Sequence, residues 1–453
     1  VSLEDAVHTL SSTLEDYQGQ YPELQQLEEQ ILLLDRLLKR NSGGGSGRSS
    51  NVSISVEAAL GAFDFLEKEE ATDGYASSNN SRRSSFDKFP TAFSLSPEST
   101  TKTADSGIES IANRFEDEVP FDGSSPSSPE PPSTGSEQVD QALLWHLGYC
   151  ERLMENLGNY GPMKCKEIYS LDRLQIQADI LGQLVAIAEA GNKLEDFQKV
   201  LDSASKNKDL QDLWKKCVSP PGLCTTVEQF TQQLDILYGS LVKTKYSMDP
   251  AKVFRCLCCR ILDVSSVDPS QTAQKLTLYQ VFSYFTDGED GELTVNDALQ
   301  DLAGELLINQ RLKSADSDVV IKTVQTFHDT LPPTDCLRVA ALLLITKHSA
   351  IQGVVASYLC DLCSSDMLRR KAILAYVESL EDRNADVRCA ACMALGHLKA
   401  TEAIDQLVYM CQNDSSNVVQ SIAKDTLISF GEEGQQALRQ VQLSSHGFQG
   451  VRL

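Results

Sequence analysis

Apolar residues recur along the last quarter of this chain with the spacing of α-helices, and the pattern repeats itself. A shift of 32 residues superimposes Val387 on Val419 and Ala391 on Ala423. Steps of three and four residues place the apolar positions of each copy on one helical face. A second apolar helix, at 403–410, lies between the two copies. Helix, polar turn and helix at a fixed period are typical of an α-solenoid, whose units must stack to bury their apolar faces.

The same helical spacing extends upstream, and the whole chain is predicted to be all-α. We predict HEAT-like or armadillo-like repeats over 315–442, an irregular helical region at 136–314 before them, and a flexible tail at 443–453. Glycine and proline pairs separate the predicted helices, and the alternation typical of strands is nearly absent. One of these helices is predicted to cover residues 275–285.

Residues 1–40 predict two helices. Ser2 and Asp5 have the spacing of a capping box at the start of the first, and Pro22 suits the first turn of the second. The second helix carries apolar residues at steps of three and four: Leu24, Leu27, Ile31, Leu34 and Leu38. This seam suits a helical hairpin that packs on itself or on the solenoid, and it equally suits a short coiled coil or a partner-binding helix pair.

Residues 41–135 have a different composition, rich in serine, glycine and proline. Such a stretch cannot bury enough apolar surface to offset the entropy of the chain, so we predict a disordered linker.

Charge and cysteine content reduce the number of functional classes to which the protein could belong. The chain has 40 lysines and arginines against 64 aspartates and glutamates, a net charge of −24. This balance argues against nucleic-acid partners and against anionic lipid surfaces. Thirteen cysteines in helical contexts fit a reducing compartment, and we expect a cytoplasmic protein that associates with the cell cortex or the cytoskeleton. No apolar run approaches the length of a membrane span. Val1 is not an initiator methionine, so we expect a fragment of a longer protein.

Two Cys-x-x-Cys pairs are the clearest candidates for chemistry. They are Cys360 with Cys363 and Cys389 with Cys392. The gap between the pairs is too long for a zinc ribbon, and no strand precedes either pair as in redox motifs, so we expect small buried core residues. The acidic stretch 287–292 lacks the glycine and glutamate positions of a calcium loop. With no catalytic motif and no histidine pair at metal spacing, no enzyme, cofactor or metal is predicted.

Asp386 and Arg388 flank the start of a repeat helix. Such a pair suits either a ladder between repeats or a local helix cap. The matching positions in the second copy are Val418 and Gln420, so a ladder would not continue.

The linker contains candidate phosphorylation sites. Ser84 and Ser85 follow two arginines, a pattern that basophilic kinases read and that, once phosphorylated, suits a phosphoserine-binding adaptor such as 14-3-3. Three further serines precede proline and are candidates for proline-directed kinases: Ser96, Ser125 and Ser128. The alternative is an unmodified linker that keeps the protein in solution.

A candidate degron lies in the same linker. Its residues are Asp105, Ser106, Gly107, Ile108 and, after one further residue, Ser110. Glycine permits a close backbone approach, and two phosphoserines would present dense charge to arginine clusters of an F-box ubiquitin ligase.

Several motifs resemble one family. The runs SLEDA at 2–6 and LEDYQGQYPEL at 14–24 near the N-terminus, with ALGHLKA at 394–400, QLVYMCQ at 406–412 and GEEGQ at 431–435, are similar to the Rho family-interacting cell polarization regulators. The resemblance implies a non-enzymatic protein that binds and restrains Rho-type small GTPases and thereby affects actin organisation, polarity, migration and adhesion. In that family the GTPase-binding region precedes the part resembled here. This chain would therefore be a C-terminal half that binds partners or self-associates.

Replacing both degron serines, Ser106→Ala with Ser110→Ala, is expected to lengthen the half-life of the protein, because the two phosphates cannot form. Pulse-chase labelling in cells with an active ligase measures this. The control Ser77→Ala with Ser78→Ala, in the same linker, should leave turnover as it was. Equal turnover of the degron variant and the unmodified protein would exclude the degron.

Overall fold

The computed structural model of this protein describes residues 2–42, 132–158, 161–191, 197–218, 222–264, 274–286, 293–328 and 330–447. Across these ranges the chain forms eighteen α-helices and one two-stranded sheet. The predicted all-α class is confirmed.

The first group of elements packs around one core. It consists of α1 (Leu3–Asp16), α2 (Gln25–Ser42), α3 (Glu137–Met154), α4 (Cys165–Glu189), α5 (Phe197–Ala204), α6 (Lys208–Cys217), β1 (Cys224–Thr226), α7 (Val227–Lys245), α8 (Pro250–Leu262), β2 (Lys275–Thr277), α9 (Leu278–Thr286) and α10 (Val295–Leu312).

The second group forms a separate core. It consists of α11 (Ser317–Gln325), α12 (Thr334–Leu342), α13 (Ser349–Leu362), α14 (Asp366–Ser379), α15 (Ala385–His397), α16 (Ile404–Asn413), α17 (Asn417–Ser429) and α18 (Glu432–Gly447). Helices α12, α15 and α17 contact one another in succession, while α14 packs on α15 and α16 packs on α17. Stacked helix pairs of this kind are the predicted solenoid.

The prediction of a helix over 275–285 is wrong for its first three residues. Lys275–Thr277 instead form β2, which pairs antiparallel with β1 so that Cys224 lies opposite Thr277. The helix begins only after Thr277, because its hydroxyl accepts from the Gln280 amide (3.2 Å) while the Gln280 side chain accepts from the Thr277 amide (2.7 Å). This reciprocal capping ends the strand and starts α9 at the same residue.

Other helices of the same chain cover the apolar seam of α2. All five seam residues are buried, and α2 packs against α4 while α1 packs against α3. The capping box of α1 is present, with the Asp5 amide 3.1 Å from Ser2 Oγ and the Ser2 amide 3.0 Å from Asp5 Oδ2. The hairpin is therefore part of the first core.

The two ends of the stretch 43–131 lie side by side. The Asn41 side chain donates to the carbonyl oxygens of Ser133 (3.3 Å) and Thr134 (3.5 Å). Asp140, in the first turn of α3, accepts from the Ser133 hydroxyl (2.5 Å) and from the Thr134 amide (2.9 Å). This stretch therefore leaves α2 and enters α3 at the same place.

Truncating the α2 seam by Leu34→Ala is expected to lower the free energy of unfolding by about 2–5 kcal/mol, because Leu34 is fully buried. Chemical denaturation measures it. The matched control Leu32→Ala removes a side chain that is 51% exposed on the same helix and should change the value by about 0.5 kcal/mol or less. Equal effects of the two substitutions would show that the seam does not pack on the first core.

Candidate partner-binding groove

Helix α4 joins the two cores. One side of it packs on α2 and α3, and its N-terminal end reaches α14. Its first turn has no side-chain cap from Lys164. Instead the Glu381 carboxylate, just beyond α14, accepts from the backbone amides of Cys165 (2.8 Å) and Lys166 (3.1 Å). A carboxylate is favoured here by the helix dipole and by two unsatisfied N–H groups.

A buried ion network makes a second connection. Arg260 of α8 donates to Glu305 of α10 (2.7 Å) and to Asp335 of α12 (2.8 Å). Arg338 lies 3.5 Å from Asp335 on the next turn. Burial raises the pKa of Glu305 and the neighbouring Asp335 carboxylate adds to this rise, although the Arg260 guanidinium opposes it. The network links the last helix of the first core to the repeats.

Between these two connections a groove runs along α4. Its volume is about 130 Å³, and its walls come from α4 on one side and from α12 and α14 on the other. The floor is apolar and consists of Ile168, Ile176, Leu331, Leu337, Leu374 and Ala375. Leu374 is 39% exposed. Four charged residues flank the floor: Asp172, Arg173, Lys371 and Glu378.

A smaller cavity of about 50 Å³ continues the groove along α4 and shares Tyr169 and Arg173 with it. Aromatic side chains form much of its wall, and the Tyr149 hydroxyl donates to Asp263 (2.7 Å). Burial raises the pKa of Tyr149, so this hydroxyl keeps its proton. Gln280 lines the cavity and is only 6% exposed. Its Nε2 has no hydrogen-bond partner among the residues that the structure describes.

The groove is suited to binding rather than to chemistry. An apolar floor with charged edges accepts the apolar face of a helix or peptide, and an unsatisfied buried N–H donor favours a ligand with an acceptor oxygen. Within the described ranges, no group of three or more metal-ligating side chains converges. His146 is fully buried between Gln177 and Thr277, and burial lowers its pKa to about 4.

The two Cys-x-x-Cys pairs differ in the structure. Cys389 and Cys392 of α15 are buried, as expected. Cys360 and Cys363 are exposed, so the expectation of burial is wrong for this pair. Both lie at the end of α13, where their sulfurs contact the carbonyl oxygens of His397 and Leu398 at the end of α15.

Arg388 does connect two repeats, but through a residue that the sequence did not single out. Its guanidinium donates to both carboxylate oxygens of Asp414 (2.7 and 2.8 Å), at the end of α16. Asn384, rather than Asp386, caps α15 by accepting from the Asp386 amide (2.9 Å). The two residues are 26 positions apart, so no local signal in the sequence points from one to the other.

The linker candidates and the acidic stretch 287–292 lie outside the described residues. This applies to the phosphorylation sites Ser84, Ser85, Ser96, Ser125 and Ser128 and to the degron at 105–110. Among the helices that the structure describes, none combines the length and the apolar composition needed to cross a bilayer.

Comparisons with known proteins agree with the fold. The HEAT-repeat family matches residues 339–428 and 370–444. The chain is 31% identical over 98% of its length to Rho family-interacting cell polarization regulator 1 of Rattus norvegicus, and it spans 34% of that protein. It is 30% identical over 97% of its length to regulator 2 of Homo sapiens, of which it spans 42%. Along nearly its whole length this chain is similar to the Rho family-interacting cell polarization regulators, and the resemblance predicted from its motifs is confirmed.

Proposed function

We propose that the protein is a non-enzymatic, inhibitory regulator of Rho-type small GTPase signalling, and that this chain is its partner-binding or self-association region. The names of its relatives support a Rho-pathway role. The chain spans less than half of those relatives, and the GTPase contact is proposed to lie in a region that the chain does not include. The same proposal places the protein in the cytoplasm, at the cortex or on the cytoskeleton, where it would affect polarity and migration.

The groove along α4 carries the proposal. Its wall on α4 extends from Cys165 to Ile180 across the groove and the adjoining cavity, about 22 Å at 1.5 Å per residue. The groove and cavity are small, so an amphipathic helix would lie along this wall and insert single apolar side chains into them. Exposed Leu374 supplies the apolar contact, and the Gln280 amide supplies a donor at one end.

A second candidate is a generic solenoid adaptor without Rho contact, controlled by phosphorylation of the linker. The serines that follow Arg82 and Arg83 support this alternative, since they would bind a phosphoserine adaptor such as 14-3-3. A solenoid fold by itself favours neither function.

One experiment separates the two functions. This chain and the full-length protein are each tested for capture of GTP-loaded and GDP-loaded Rho. Nucleotide-dependent capture by the full-length protein alone supports the regulator, with its contact outside this chain. Capture by neither protein supports the generic adaptor.

The groove is tested in the full-length protein with Leu374→Asp, which places a charge on the apolar floor. We expect Rho capture to be unchanged and the inhibition of Rho-dependent actin assembly to be lost. Leu32→Asp, at an exposed leucine of α2, is the matched control and should preserve both. Full inhibition by the Leu374 variant would show that the groove does not recruit the partner.

Glu378 lies at the edge of the groove, and we expect it to make the stability of the folded protein depend on pH. Burial and the neighbouring Glu381 raise its pKa to about 7, against 4.5 for an ordinary glutamate. The folded protein therefore binds this proton more tightly than the unfolded chain. The resulting stability is fully present below pH 4.5 and is lost as the pH rises towards 7.

The substitution Glu378→Gln should remove the loss of stability that occurs as the pH rises towards 7. The stability of the variant relative to the unmodified protein is expected to rise by about 1–3 kcal/mol between pH 5 and pH 8. Denaturant titrations at both pH values measure the difference. Glu29→Gln, at an exposed position of α2, should show no such trend. A relative stability of the Glu378 variant that stays constant with pH would contradict the raised pKa.

A further inference from the structure

Cys360 and Cys363 are set apart from the other cysteines by their exposure. All thirteen cysteines of the chain lie in described ranges, none of them is in a disulfide, and these two are the exposed ones. They lie three residues apart in the last turn of α13, with Cys363 as the C-terminal cap. The second pair, Cys389 and Cys392, has the same sequence spacing but is buried in α15.

The two exposed sulfurs face the same atom. Cys360 Sγ lies 3.7 Å and Cys363 Sγ lies 3.9 Å from the carbonyl oxygen of His397, at the end of α15. Cys363 Sγ also lies 3.5 Å from the carbonyl oxygen of Leu398. A shared acceptor brings the two thiols together on one side of the helix.

The backbone between the thiols is already tightened. The Cys363 amide donates to the Cys360 carbonyl (3.1 Å), the bond of a 3₁₀ turn, in which residues three apart eclipse each other. Helical geometry places their Cα atoms about 5–6 Å apart, within the range of about 4.4–6.8 Å that disulfides span.

We propose that Cys360 and Cys363 form a reversible redox site, at which a hydroperoxide converts the two thiols into a disulfide within the last turn of α13. This site is independent of the proposed function. It lies on the junction between α13 and the turn after α15, a place where no modification was expected from the sequence.

The reaction balances with hydrogen peroxide as the two-electron oxidant. The Cys363 thiolate attacks one peroxide oxygen, the O–O bond breaks, and the hydroxide that leaves takes a proton to become water. The Cys360 thiolate then attacks the sulfur of the resulting sulfenic acid, which forms the S–S bond and releases a second water. In total two thiols and one peroxide give one disulfide and two waters.

The order of attack follows from the surroundings of each sulfur. Burial and the adjacent Cys363 sulfur raise the pKa of Cys360 against the smaller opposing effect of Lys399, and this disfavours its thiolate. The Arg369 guanidinium contacts the side chain of Cys363, and a neighbouring cation is typical of reactive cysteines. Cys363 is therefore the attacking residue, and Cys360 resolves the sulfenic acid.

The disulfide would be readily reduced. Side chains three residues apart on a helix have Cβ atoms about 5–6 Å apart, whereas a disulfide needs about 3.5–4.5 Å, so the turn must tighten further. Strained, exposed disulfides have the potentials of regulatory rather than structural bonds. Oxidation also removes both S–H donors from the carbonyls of His397 and Leu398. Arg369 still holds the carbonyls of Leu398 (3.0 Å) and Lys399 (2.8 Å), so the repeats stay folded.

The test exposes the full chain to graded hydrogen peroxide, blocks the remaining thiols with N-ethylmaleimide and maps the cysteines by mass spectrometry. We expect an intramolecular bond between Cys360 and Cys363 that dithiothreitol reverses, while Cys389 and Cys392 are alkylated after unfolding as reduced thiols. Hydrogen exchange of amides 396–403 should rise severalfold on oxidation.

Single variants test the assignment of roles. Cys360→Ser should leave a sulfenic acid on Cys363 that dimedone traps, whereas Cys363→Ser should give severalfold less adduct. Preferential oxidation of the buried pair, a disulfide between two molecules, or direct conversion to sulfinic acid without a disulfide would each overturn the proposal. Equal dimedone labelling of the two variants would overturn the order of attack.

Discussion

The carboxylate of Glu381 lies where two separately packed cores meet. It closes the open N-terminus of α4 with two charge-assisted hydrogen bonds, although α4 belongs to one core and Glu381 follows a helix of the other. Helix termini have no internal partners for their first amides, so α4 depends on the repeats for a cap. The position of the repeats against the first core, and with it the groove, depends on this contact and on the ion network around Arg260.

The groove is therefore a property of the junction rather than of the repeats alone. One wall is α4, which the first core holds through α2 and α3, and the other wall consists of repeat helices. A ligand that fills it contacts both cores, so binding and the relative position of the cores are coupled. The repeats supply their exposed Leu374, and α4 supplies Ile168 and Ile176. Neither core presents the whole surface by itself.

Local features of the sequence predicted local structure well. The apolar spacing of the repeats and the capping box at Ser2 both correspond to observed helices, because each depends on neighbours within a few residues. Contacts between distant residues were not predictable. The spacing of the α2 seam could not show that α4 covers it, and nothing near Arg388 indicates Asp414. The groove was not predictable for the same reason, because its walls are about 200 residues apart along the chain. Nor could the shared spacing of the two cysteine pairs show that one is exposed and the other buried.

The hydrogen bonds between Asn41 and the carbonyls of Ser133 and Thr134 have a consequence for the linker. They hold the two chain segments that flank the stretch 43–131 at one point beside α2 and α3. Closing so long a loop costs little more entropy than closing one of half its length. A single cut in this stretch would not release the N-terminal hairpin, which the first core holds through its buried leucines.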